Sequence, residues 1–74
     1  MNWRKAPRGD WVGHDGTHRY TISPIWVFED GSKKPIRAWR MRIDGNQVGG
    51  ADKTAIWMRV ADAKMYAEEK AGLR

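Results

Sequence analysis

Three Asp-Gly steps, Asp15-Gly16, Asp30-Gly31 and Asp44-Gly45, stand about fourteen residues apart in the chain. Asp-Gly tolerates the positive φ angles of tight hairpin turns, so each step ends one strand and starts the next. The runs between them are rich in β-formers: residues 20–28 read YTISPIWVF and residues 36–43 read IRAWRMRI. This punctuation predicts a small antiparallel meander. Residues 10–14 and 17–22 flank the first turn as a hairpin. Asp44-Gly45-Asn46 turns the chain into a short strand at 47–49.

Alternation assigns the faces. In 36–43, Trp39, Met41 and Ile43 point to the core, while Ala38, Arg40 and Arg42 point to the open side. In 20–28, Tyr20, Ile22, Trp26 and Phe28 share one side, with Ile25 and Val27 on the other. Pro24 cannot donate a ladder hydrogen bond, so it marks a bulge, an edge or a change of register.

The remainder reads as helix. Residues 55–71 are rich in Ala, Met, Glu and Lys and contain no Pro or Gly. Ile56, Val60, Ala63 and Ala67 form one helical stripe. Asp52 or Thr54 caps the start, Gly72 ends the helix, and Lys70 faces the negative end of its dipole. Ile56, Met58 and Val60 also alternate, so 55–60 fits a strand as well; the longer helix is preferred. Small Ala63 and Ala67 let the helix lie close to the sheet, with aromatics filling the gap. The fold class expected is α+β: an antiparallel sheet of three to four strands packed on one C-terminal helix. Its parts are a loosely ordered arm at 1–9, the meander at 10–49 and the helix at 54–72.

A chain of 74 residues makes one domain that buries only about 60% of its unfolded surface. It has no cysteine, which excludes a disulfide scaffold, a thiol nucleophile and Cys-based metal sites. No run approaches the length of a membrane span, and MNWRKAPRGDW has no signal-peptide core. Large aromatics are the remaining source of stability. Of five tryptophans, Trp26, Trp39 and Trp57 are expected in the core. Trp3 and Trp11 lie in a basic polar segment, where exposed aromatics suit base stacking or a protein hot spot.

Catalytic chemistry is not visible. Ser23 and Ser32 carry no nucleophile signature. His14 and His18 bracket a hairpin turn, which separates their rings, so no metal site is expected. Glu68-Glu69 is a solvated helix-end pair, and Gly49-Gly50 matches no phosphate loop. The chain is read as a non-enzyme with no cofactor.

Charge points to binding. The net charge is +5, and Lys33, Lys34, Arg37, Arg40 and Arg42 lie within 33–42 without an acid. The nine other Lys and Arg balance the nine Asp and Glu. A single-sign cluster on an otherwise neutral chain is a footprint for an anionic partner. The candidate binding residues are these five, with Trp3 and Trp11.

Two resemblances follow from the second half of the chain. WRMRIDGNQVGG followed by VADAKMYAEEKAG is similar to a pattern in small bacteriophage and prophage proteins. Trp39, Asp44, Gly45, Gly49, Val60, Ala63, Lys64, Ala67 and Glu68 carry the match. Trp39-Arg40-Met41-Arg42-Ile43, with Ala63, Tyr66 and Ala67, also resembles AP2-type and integrase N-terminal DNA-binding domains. Those place a three-stranded sheet in the major groove, and the resemblance puts their strand arginines at Arg40 and Arg42. Together these imply a phage-type accessory protein in the cytoplasm of a bacterial host cell, as a monomer or homodimer, with no membrane partner. The expected partner is nucleic acid. The alternative is an acidic host protein surface, as for an anti-CRISPR-like inhibitor of host defence.

Overall fold

The computed structural model describes residues 1–28, 31, 33–50 and 53–73. Five strands form one antiparallel sheet: β1 (Asn2–Lys5), β2 (Trp11–His14), β3 (Arg19–Val27), β4 (Ile36–Ile43) and β5 (Asn46–Gln47). They lie in sequence order, each hydrogen-bonded to the next. A two-stranded ribbon, β6 (Gly49–Gly50) and β7 (Lys53–Thr54), precedes the single helix α1 (Val60–Lys70). The class is α+β, with one strand more than the upper sequence expectation.

The turns behave as their residues require. Asp44 and Gly45 take φ of 53° and 84° between Ile43 and Asn46, which pair directly. Positive φ at both central positions is the primed turn that matches strand twist. Gly16 and Gly31 also take positive φ. Asp30 lies outside the described residues.

The first correction is at the N-terminus. Residues 2–5 are not a loose arm but the edge strand of the sheet, pairing Trp3 with Gly13 and Lys5 with Trp11. Gly13 makes this possible. A Cβ there would stand 2.9 Å from the Trp3 ring and 2.7 Å from Met1 Sδ. The missing side chain is the space into which Trp3 folds.

Pro24 causes no register change. Pairing runs unbroken from Tyr20 opposite Ile43 to Val27 opposite Ile36, with Pro24 opposite Trp39. The N–H and C=O of Trp39 both bond Trp57, so they point away from β3. Pro24 therefore occupies a non-hydrogen-bonded pair, and its nitrogen faces the side where β2 has already ended.

The core is formed by Tyr20, Ile22, Met41, Ala63 and Ala67, all fully or almost fully buried. Trp3, Trp11, Trp39, Ile43, Trp57, Val60 and Tyr66 pack around it. The two alanines hold α1 close to the sheet, and the Trp57 and Tyr66 rings meet at 5.1 Å. Ala38 is buried on the opposite face, outside this cluster.

Two further corrections concern elements rather than class. The helix starts at Val60, not near residue 55, and Arg59 is its N-cap without a side-chain cap bond. Ala55 N–H already bonds Val48 C=O, and Trp57 exchanges both backbone bonds with Trp39 at 2.8 and 2.9 Å. A backbone committed to the sheet cannot enter the helical ladder. Thr54 accordingly lies in β7 and caps nothing, and Asp52 is outside the described residues. Ile56 is 45% exposed, because Trp57 and not Ile56 turns inward. Gly72, at φ 76°, ends α1 as expected: its N–H bonds Glu69 C=O and the Leu73 N–H bonds Glu68 C=O.

Trp26 is likewise not core. It shares a face with Tyr20 and Ile22 yet is 61% exposed, and Phe28 is 66% exposed. α1 has 11 residues and is about 16 Å long. β3 has nine and runs about 30 Å. The β3–β4 ribbon therefore extends past the helix that covers its base, consistent with overall dimensions of 42 × 28 × 21 Å.

Candidate nucleic-acid interface

The face of the sheet opposite α1 is defined by the register. Asn2, His14 and Arg19 form one cross-strand row. Arg4, Val12, Thr21, Arg42 and Gln47 form the next, followed by Ser23 with Arg40. This face thus collects Arg4, Arg19, Arg40 and Arg42, with His14 at its edge. Among the described residues, no Asp or Glu occupies a strand position on it, and none of the four arginines is in an ion pair.

Each β4 arginine of this face stands opposite a hydroxyl, Arg42 opposite Thr21 and Arg40 opposite Ser23. Arg40 and Arg42 are two residues apart, about 7 Å along the strand. Arg40 is half-buried, and its Nε is enclosed without a partner. The packed stem fixes the direction of the group. At the β1 side, a cleft of about 770 Å³ is lined by Arg4, Lys5, His14 and Arg19, with Asn2, Trp3, Ala6, Pro7 and Val12. Four of those side chains are basic and none is acidic.

The five-cation segment does not act as one patch. Arg40 and Arg42 lie on the open face, as alternation predicted. Arg37 has the opposite parity and sits over the Trp26 ring at 5.0 Å. Lys33 and Lys34 are exposed ahead of β4, beyond the end of the paired ribbon. Trp3 and Trp11 lie on the helix side, half-buried against the core and not available as exposed stacking platforms. Lys64 Nζ stands 3.6 Å from the Trp11 ring centre and 5.9 Å from that of Trp3. Their cation is supplied from inside the fold.

Sequence reasoning missed Arg4, Arg19 and His14. The signal was present: in NWRK and RYTI, the inward Trp3, Tyr20 and Ile22 send Arg4 and Arg19 outward. Counting charge concealed it, because the residues outside 33–42 balance only when taken together, and that sum hides both the basic 1–9 stretch and Arg19.

A polar lock borders the face. The Asp15 carboxylate accepts the N–H groups of Thr17 and His18 at 2.7 and 2.6 Å and the Tyr20 hydroxyl at 2.8 Å. The backbone bond from His18 leads in lowering its pKa to about 2. Burial first, and then the bond to Asp15, pushes Tyr20 up to about 12. Asp44 accepts the Arg19 N–H at 2.9 Å and holds His18 Nδ1 at 2.5 Å. These bonds lower Asp44, with the Arg19 N–H first, and the Asp44 bond raises His18. His18 is thus committed to a carboxylate. Among the described residues, no group of three or more His, Asp or Glu stands together as metal ligands, and no helix is long and apolar enough to cross a membrane.

No family model, curated protein or solved structure matches this chain. Function is therefore read from the geometry.

Proposed function

We propose that this chain is a non-enzymatic binding protein whose open sheet face takes the phosphate backbone of a nucleic acid. The observation that carries the reading is the set of four arginines on one face that, among the described residues, form no ion pair and share their strand positions with no Asp or Glu. Arginine's planar fork grips phosphate oxygens with two bonds, and the adjacent Ser23 and Thr21 hydroxyls add donors. Strand mounting holds these groups at fixed spacing. Self-repulsion among them is relieved by an anion, so the face is complementary to a polyanion.

The test is binding to an oligonucleotide across a salt series. Counterion release predicts a linear fall of log affinity with log salt, with a slope of about −0.7 to −0.9 per phosphate contacted. Arg40→Glu with Arg42→Glu should abolish binding while the far-ultraviolet circular dichroism stays native: Arg42 is exposed and its loss shifts stability by about 0.5 kcal/mol or less, and any larger fall in melting temperature comes from the half-buried stem of Arg40. Wild-type affinity in the double variant overturns the assignment of the face. No binding to the oligonucleotide even at low salt would favour a protein partner, such as a host-defence protein with an acidic surface.

A further inference from the structure

The β3–β4 ribbon ends in a pair of aromatics that the phosphate reading leaves unused. Trp26 and Phe28 are 61% and 66% exposed, whereas Trp3, Trp11, Trp39, Trp57 and Tyr66 all pack against the core. They stand two residues apart on one side of the chain, beyond the reach of α1. Arg37 lies over the Trp26 ring at 5.0 Å. With the guanidinium there and the residue still mostly exposed, a flat group has room to stack on the same ring.

We propose that this end of the ribbon stacks on unpaired nucleobases, so that the partner is a single-stranded nucleic acid or a single-stranded stretch of one. The inference rests on the phosphate-binding reading of the open face and specifies its ligand. Base faces are hidden in a duplex, and exposing them means unstacking. A single strand presents them freely, and a Trp ring accepts any base because every base has a π face. β4 supplies the accompanying cations, carrying Arg37, Arg40 and Arg42 and no carboxylate. Arg40 and Arg42 face the open side of the sheet and Arg37 with Trp26 the other, so a strand held at Arg40 and Arg42 crosses the edge of β4 to bring its bases to Trp26 and Phe28. An acidic protein surface offers the charge without the flat faces.

The experiment compares three ligands by fluorescence anisotropy: a short oligothymidylate, an abasic strand of the same length and charge, and a duplex of that length. Wild-type protein should prefer oligothymidylate over the abasic strand and the duplex by about tenfold or more. Trp26→Ala with Phe28→Ala should bind oligothymidylate only as tightly as wild type binds the abasic strand, with an unchanged salt slope. Circular dichroism of that variant should match wild type, because both side chains are exposed. Equal wild-type affinity for oligothymidylate and the abasic strand overturns the stacking proposal and leaves the phosphate reading standing, as does a preference for bases retained in the variant. Wild-type protein that binds none of the three at low salt overturns both.

Discussion

At the scale of single residues, the lock around His18 ties together two turns that are distant in sequence. Asp15 closes the first hairpin, Asp44 opens the turn after β4, and His18 joins them through its N–H to Asp15 and its ring to Asp44, with the Tyr20 hydroxyl also bonded to Asp15. Each bond favours one protonation state, which fixes how stability follows pH. His18 is raised above its usual 6.5, so its contribution is complete below 6.5 and is lost as pH climbs through the raised value. Asp15 and Asp44 are lowered from 3.8, so theirs is complete above 3.8 and is lost as pH falls through the depressed values. Tyr20 adds a second loss at high pH, between its usual 10 and about 12. The melting temperature should therefore plateau between pH 4 and 6.5 and decline on either side. His18→Ala should remove the decline that begins near neutrality and leave the acid limb, because the backbone bonds to Asp15 and Asp44 persist. The slope near neutrality should be shallow, since His18 and Asp44 are solvent-exposed. A melting temperature in the variant that still falls between pH 6.5 and 8 would place the responsible proton elsewhere.

At the scale of elements, β1 is held by a fit between Trp3 and the missing side chain of Gly13. Gly13→Ala should destabilise the protein by about 1–3 kcal/mol through overpacking. Met1 can swing aside, but the Trp3 ring is hemmed by its packing on the core. In a Trp3→Ala background the same substitution should be almost neutral, and a double-mutant cycle by urea unfolding checks the coupling. Full additivity would mean that β1 docks by some other contact. This strand also shows what a sequence reading reaches. Asp44-Gly45 and the alternation of 36–43 are local signals, and the turn, β4 and the outward Arg40 and Arg42 were legible from them. β1 was not, because its partner position is a glycine whose role exists only once Trp3 lies opposite. The start of α1 was hidden for a related reason. Residues 55–57 have helical propensity, and only the bonds to Val48 and Trp39, made across the fold, withdraw them from the helix. Trp26 was misplaced because alternation gives a face but not how far along that face the covering helix extends. Its exposure is also what brings it into the candidate site.

At the scale of the whole molecule, the net charge of +5 understates the field. Four arginines from three strands, β1, β3 and β4, converge on one side, while acids such as Asp15 and Asp44 are spent on turns. The folded state thus gathers like charges that the unfolded chain keeps apart, and folding should be opposed by their repulsion at low ionic strength. A polyanion that recognises the folded face reverses this penalty. With oligonucleotide at 100 times its dissociation constant, linkage predicts a stabilisation of about 2.7 kcal/mol. For a domain of this size that raises the melting temperature by about 10–20 °C. Added salt without oligonucleotide should raise it far less, by screening alone. The unfolded chain is also basic and competes for the ligand, so the comparison needs a control of matched charge. Arg59→Glu with Lys70→Glu lowers the net charge as much as Arg40→Glu with Arg42→Glu does, but acts at the ends of α1, on the other side of the sheet. The helix-end variant should keep most of the oligonucleotide-induced shift, and the sheet-face variant should lose it. Equal loss in both would show that total charge, and not the arrangement of arginines on the sheet, governs the interaction.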